Sequence, residues 1–144
     1  MQFESYEAYA AVTGTPVQVT PEPQNSDYES GSAVIDGEVW HIRTARTTPT
    51  KLGAFVAFWR REDGGETAPF PSTDASAGLL VFVTQGAHRG VFRFTLERLA
   101  ELGITSAPDR AGKRGFRVYP SWCTELNPQA TRTQRGQASA FQLY

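Results

Sequence analysis

The stretch Tyr28–Arg46, YESGSAVIDGEVWHIRTAR, holds two strand-like runs on either side of Asp36-Gly37. Asp-Gly readily takes up the left-handed torsions of a two-residue turn, and these match the twist of paired strands. The stretch therefore predicts a β-hairpin, Tyr28–Ile35 followed by Glu38–Arg46. Along the second strand the period of two sets Trp40 and Ile42 toward the core, with His41 and Arg43 sharing the other face.

Working outward, Phe3, Tyr6 and Ala10 are spaced for a short amphipathic helix that ends near Gly14. Pro21 to Asp27 is a loop, because each proline fixes its own torsion and drives the preceding residue out of the helical region. After the hairpin, Thr47-Thr-Pro-Thr-Lys-Leu-Gly53 interrupts the strands as a shaped loop. Ala54–Arg61 has the apolar density of a buried strand, and Glu62–Glu66 is an exposed turn. Further strands are expected over Leu79–Thr84 and Gly90–Phe94. Thr95 then caps a helix that ends at Gly103. Gly112–Pro120 reads as a strand, and Asn127-Pro128 opens a polar helix running to about Leu143. This order predicts one α/β (α+β) domain over residues 1–144, with a central mixed, partly antiparallel sheet flanked by helices.

The chain has 144 residues, 40% hydrophobic and 20% charged, as a globular domain with a core of its own would. The longest apolar run, Gly78–Val83, is too short to cross a bilayer, and the N-terminus has neither the basic nor the apolar region of a secretory signal. A cytoplasmic protein with no membrane partner is expected. The one cysteine, Cys123, has no partner for an internal disulfide and no metal-ligand spacing.

A net charge of -1 conceals an asymmetry along the chain. Residues 1–38 hold seven acids and no Lys or Arg, whereas residues 110–135 hold six cations (Arg110, Lys113, Arg114, Arg117, Arg132, Arg135) against Glu125 alone. A phosphate-bearing partner belongs at that basic block. Within it, GKRGFRVYP (Gly112–Pro120) read as a strand presents Lys113, Gly115, Arg117 and Tyr119 on one face and Arg114, Phe116 and Val118 on the other. The same run also suits an edge strand whose charges discourage aggregation.

Two segments, RTARTTPTKLGAFVAFWR (Arg43–Arg60) and GKRGFRVYP, resemble the MepB family of bacterial proteins. Supporting matches run in order from Pro21-Glu22 and Ser26-Asp27-Tyr28 through Pro69-Phe70, Gly103-Ile104 and Trp122 to Gln129-Ala130 and Thr133-Gln134, so the resemblance covers about residues 21–144. The chain departs from the family pattern at Arg46 (usually Lys), Ser121 (Pro), Cys123 (Asp) and Gly136 (Trp). The resemblance implies a fold like that of type II restriction endonucleases and a role in binding DNA, double-stranded in the first instance. The residues implied for phosphate contact are Arg43, Arg46, Thr48, Thr50, Lys51, Lys113, Arg114, Arg117 and Tyr119.

Nucleases of that fold set an acid two residues before a Lys, so that both project from one face of a strand beside a divalent metal. No acid in this chain is followed two positions later by Lys or Arg. A displaced catalytic site would draw on Glu22, Asp27 or Asp74 with Lys51, and Glu22 and Asp74 would be its metal ligands. No cofactor is then required for binding, and Mg2+ or Mn2+ only for cleavage. The competing reading of Glu22 is a loop carboxylate accepting hydrogen bonds from Arg43 or Arg46. Thr48–Gly53 lacks the Walker pattern, no Gly-x-Ser-x-Gly elbow occurs, and His41 and His88 belong to no metal motif. Trp40, Phe55, Phe58 and Trp59 are expected in the core. Tyr119 and Trp122, beside the cations, could cover a sugar or base. The alternative to a nucleic acid is a phosphorylated small molecule or an acidic protein partner.

Overall fold

The computed structural model describes residues 3–16 and 18–144. Chain order is α1 (Glu4–Thr13), β1 (Val19–Pro21), β2 (Gly31–Ile35), β3 (Glu38–Thr44), β4 (Arg46–Thr48), β5 (Lys51–Ala57), β6 (Trp59–Arg61), β7 (Thr67–Pro69), β8 (Gly78–Gln85), β9 (His88–Thr95), α2 (Leu96–Glu101), β10 (Gly115–Val118), α3 (Pro128–Gln137) and β11 (Phe141–Leu143). The result is one mixed α+β domain dominated by its sheets. The Asp-Gly turn is where it was expected, with both central residues at positive φ (52° and 80°) joining Ile35 to Glu38.

Six strands form the main sheet, in the order β1-β2-β3-β8-β9-β11, with β3 and β8 parallel and every other pair antiparallel. Both faces of this sheet are covered, which explains the unbroken apolar run in β8. Leu80 and Phe82 face α1, where they pack with Phe3, Tyr6, Trp40 and Ile42. Leu79, Val81 and Val83 face a second core with Ala54, Val56, Phe58, Phe116 and Val118. That core is closed by a three-stranded antiparallel sheet, β10-β5-β4.

Four elements differ from expectation. Thr47–Gly53 is no open loop but the tip of the β4–β5 hairpin, turning at Pro49-Thr50 with a bulge at Thr47/Thr48. Ala54–Arg61 is split at Phe58, since Trp59–Arg61 leaves β5 to pair with β7. Of GKRGFRVYP only Gly115–Val118 is strand, because Gly112 turns at φ 75° and the Lys113 amide bonds Ile104 O. The last helix stops at Gln137, and Phe141–Leu143 extends along β9 as an edge strand. Among the described residues, no helix is long and apolar enough to cross a membrane.

Candidate nucleic-acid interface

The first predicted cation meets a different fate from the rest. Arg43 projects from β3 between the two sheets and is 0% exposed. Its guanidinium donates to both Glu22 carboxylate oxygens (3.2 and 3.0 Å), to Asn25 Oδ1 (3.2 Å) and to Ile42 O (2.9 Å), and sits over the Phe58 ring. Arg43 is therefore an internal anchor for the loop after β1, with no surface to offer a phosphate. The carboxylate-accepting reading of Glu22 holds.

His41, on the same face of β3, lies between two carboxylates. Its Nδ1 meets Glu22 Oε1 at 2.8 Å and its Nε2 meets Asp74 Oδ2 at 3.0 Å. Burial opposes charge on the imidazole, but the two carboxylates outweigh it and raise its pKa. Burial likewise pushes both carboxyls up. The hydrogen bonds and charges of His41, joined by Arg43 at Glu22 and by Ser76 at Asp74, leave Glu22 lowered and Asp74 at about 2. Arg43, His41 and the two carboxylates thus satisfy one another within the protein.

The displaced catalytic site is not assembled by this arrangement. Glu22 and Asp74 address opposite nitrogens of one ring, and among the described residues no group of three or more His, Cys, Asp and Glu is placed to hold a metal ion. Lys51 lies at the start of β5 in the hairpin and shares no hydrogen bond with either acid. Asp27 is exposed, 4.0 Å from Arg46.

The remaining cations divide by position. Arg114 turns toward β7, where Nε donates to Thr67 Oγ1 (3.1 Å) and Nη2 to Thr67 O (3.0 Å). Lys113, Arg117 and Tyr119 keep to the other side. With Arg132, Asn127, Gln129 and Thr133 of the α3 segment they line a groove of about 380 Å³. A second hollow of about 440 Å³ adjoins it, sharing Arg117, Tyr119, Asn127 and Ala130 and adding Thr50, Lys51 and Glu125. Thr48 belongs to a third hollow, of about 380 Å³, which shares Thr50, Lys51 and Leu52 with the second. Among the described residues no carboxylate comes within ion-pair distance of Lys51, Lys113, Arg117 or Arg132.

Local chemistry holds this wall in place. Asn127 Oδ1 accepts from the Ala130 amide (2.8 Å), starting α3 where Asn-Pro predicts. At the other end of the helix Gln137, 3% exposed, donates through Nε2 to Arg117 O (2.8 Å) and accepts at Oε1 from the Tyr119 amide (3.0 Å). Its carboxamide thus completes the free edge of β10. Gln134 Nε2 bonds Pro120 O and Cys123 O (2.9 and 3.1 Å). Burial pushes the Cys123 thiol up, away from nucleophilic use. The Tyr119 ring crosses Gly53, where φ is 78° and any Cβ would come 2.7 Å from the ring. Trp122 stacks on His88 and donates to Gln85 Oε1 (2.9 Å).

Sequence reasoning missed Gln137, the bracketing of His41, and Phe55, which faces outward from β5. The Gln137 contacts reach back 18 and 20 residues, and no short motif announces them. Phe55 was hidden by its neighbours, since Ala54, Val56 and Ala57 are all apolar too.

No curated protein matches the chain. A solved structure, the crystal structure of MepB, superposes with a TM-score of 0.87 at 31% identity, covering 99% of this chain and 97% of that one. The MepB-like family profile matches residues 22–142. With a family pattern spanning most of its length and a shared fold along nearly all of it, this chain belongs to the MepB-like family.

Proposed function

We propose that the protein binds DNA by neutralising backbone phosphates along the groove between β10, the β4–β5 hairpin and α3. Lys51, Lys113, Arg117 and Arg132 supply the charge, and Thr50, Asn127, Gln129 and Thr133 supply neutral hydrogen-bonding groups. The observation that carries this reading is the joining of two hollows through Arg117 and Tyr119, with four cations on their walls and Glu125 as the one acid. Such contacts position a polyanion without reading its sequence. A cytoplasmic setting belongs to the same reading.

Salt titration of DNA binding is the test. Log affinity should fall linearly with log salt, each lost phosphate contact lowering the slope by about 1, so four cations give a slope of about −3 to −4 on duplex. Lys113→Ala and Arg117→Ala, the latter losing a guanidinium that Leu52 O holds at the groove (3.1 Å), should each weaken binding to all sequences alike, whereas Arg114→Ala, whose guanidinium turns to Thr67 outside the groove lining, should leave it near wild type. Salt-independent binding, or full affinity in the Lys113 and Arg117 variants, removes the site. The groove also has the volume of a small-ligand pocket, which favours a second reading in which a phosphorylated small molecule enters it. Competition by a mononucleotide far below the concentration of added salt would support that reading over the first.

A further inference from the structure

The outer face of the three-stranded sheet meets the groove only along its β10 side, at Arg117 and Tyr119. On it Arg46 of β4 stands opposite Phe55 of β5, and Phe55 stands opposite Arg117 of β10. Directly opposed residues project to the same face, so the three form one rung of cation, aromatic and cation. Ala54 and Val56, alternating with Phe55, are wholly buried in the core, while Phe55 is 37% exposed. A single exposed ring is ordinary. The surroundings of this one are not.

The Phe55 ring leans across Gly115, where an added Cβ would come 2.5 Å from it, just as the Tyr119 ring leans across Gly53. Two aromatic rings thus lie over glycines of the neighbouring strand, Tyr119 two residues past Arg117 and one rung, about 6.6 Å, farther along the sheet. Lys51 and Arg117 line the hollow beside Tyr119. Among the described residues the one acid against Arg46 is Asp27 at 4.0 Å, with both side chains largely exposed, a pairing that water and salt screen. Partly exposed rings alternating with cations, of which Arg117 donates to a neutral partner, Leu52 O (3.1 Å), and so keeps its charge, are suited to the faces of bases and the phosphates between them. In a duplex those faces are hidden in the stack, so the rings are of use only to unpaired bases.

We propose that this face takes single-stranded nucleic acid, one base stacking on Phe55 between phosphates held by Arg46 and Arg117, the next nucleotide resting on Tyr119 and Lys51. The proposal rests on the groove reading above, through Arg117, and specifies its substrate as unpaired strand in place of duplex. Fluorescence anisotropy at fixed salt, with a labelled oligo-dT strand and a labelled blunt hairpin duplex, tests it. The strand should bind more tightly than the duplex. Phe55→Ala should lose about 5- to 100-fold of the strand affinity and leave the duplex affinity unchanged. Phe55→Tyr should retain strand binding, while Phe55→Leu, which keeps apolar bulk over Gly115, should lose it with the wild-type melting temperature preserved. Duplex binding as tight as strand binding, or a Phe55→Leu variant with full strand affinity, overturns this inference and leaves the groove reading standing. Failure of both probes to bind overturns the two together.

Discussion

Glu22 accepts two hydrogen bonds from a guanidinium that has no access to water, so removing the carboxylate strands a buried charge. Glu22→Ala is expected to lower unfolding free energy by about 3–5 kcal/mol, measured by urea denaturation. His41 makes the same cluster sensitive to pH, with a definite sign. Its pKa is raised above 6.5 in the folded protein, so its contribution is fully present below pH 6.5 and is lost as pH rises through the folded value. Asp74 behaves inversely, its contribution being present above 3.8 and lost as pH falls toward about 2. Melting temperature should therefore decline at both ends of the pH range, and His41→Gln should flatten the alkaline decline. The shared face of His41 and Arg43 followed from strand alternation. Their carboxylate partners did not, because Glu22 and Asp74 lie 19 and 33 residues from His41 and only the packed loops bring them there.

Among the elements, β10 depends most on a neighbour. One edge pairs with β5, while the other is completed by the Gln137 carboxamide in place of a strand. Gln137→Ala leaves the Arg117 carbonyl and the Tyr119 amide unsatisfied at a buried position, a loss of about 1–3 kcal/mol. Faster hydrogen exchange at the Tyr119 amide would report it directly. Gly53→Ala should cost a similar amount, since the substituted backbone is strained at φ 78° and the new methyl strikes Tyr119. Elements set by local chemistry were legible from the chain alone: the Asp36-Gly37 turn, the Thr95 cap on α2 and the Asn127-Pro128 start of α3. Those set by distant partners were not. Phe141-Gln-Leu143 continues a helix-compatible run, and only the open edge of β9, some 50 residues earlier, draws it into a strand. The outward turn of Phe55 was equally hidden, because periodicity cannot distinguish the faces of a strand whose residues are apolar on both.

At the scale of the molecule, the large sheet presents two edges, and β11 covers one of them with three residues. The Phe141 ring also packs on Phe92 (4.8 Å) and Trp122 (5.7 Å). Truncation before Phe141 should lower the melting temperature and expose β9 to pairing with other copies, visible as self-association in light scattering. The acidic first quarter of the sequence is partly consumed inside the protein, since Glu22 is spent on Arg43 and His41. Much of the late basic block remains free on the surface, so the asymmetry of the sequence survives folding as an asymmetry of field. Gln137 has a bearing on how that field is used. One carboxamide ties α3 to the backbone that carries Arg117 and Tyr119, so the helix and the strand cannot part without breaking both of its bonds. The cleft should therefore be as open before a ligand arrives as after, with little ordering left for encounter to accomplish, and variants along it should differ more in how long a bound chain stays than in how quickly it lands.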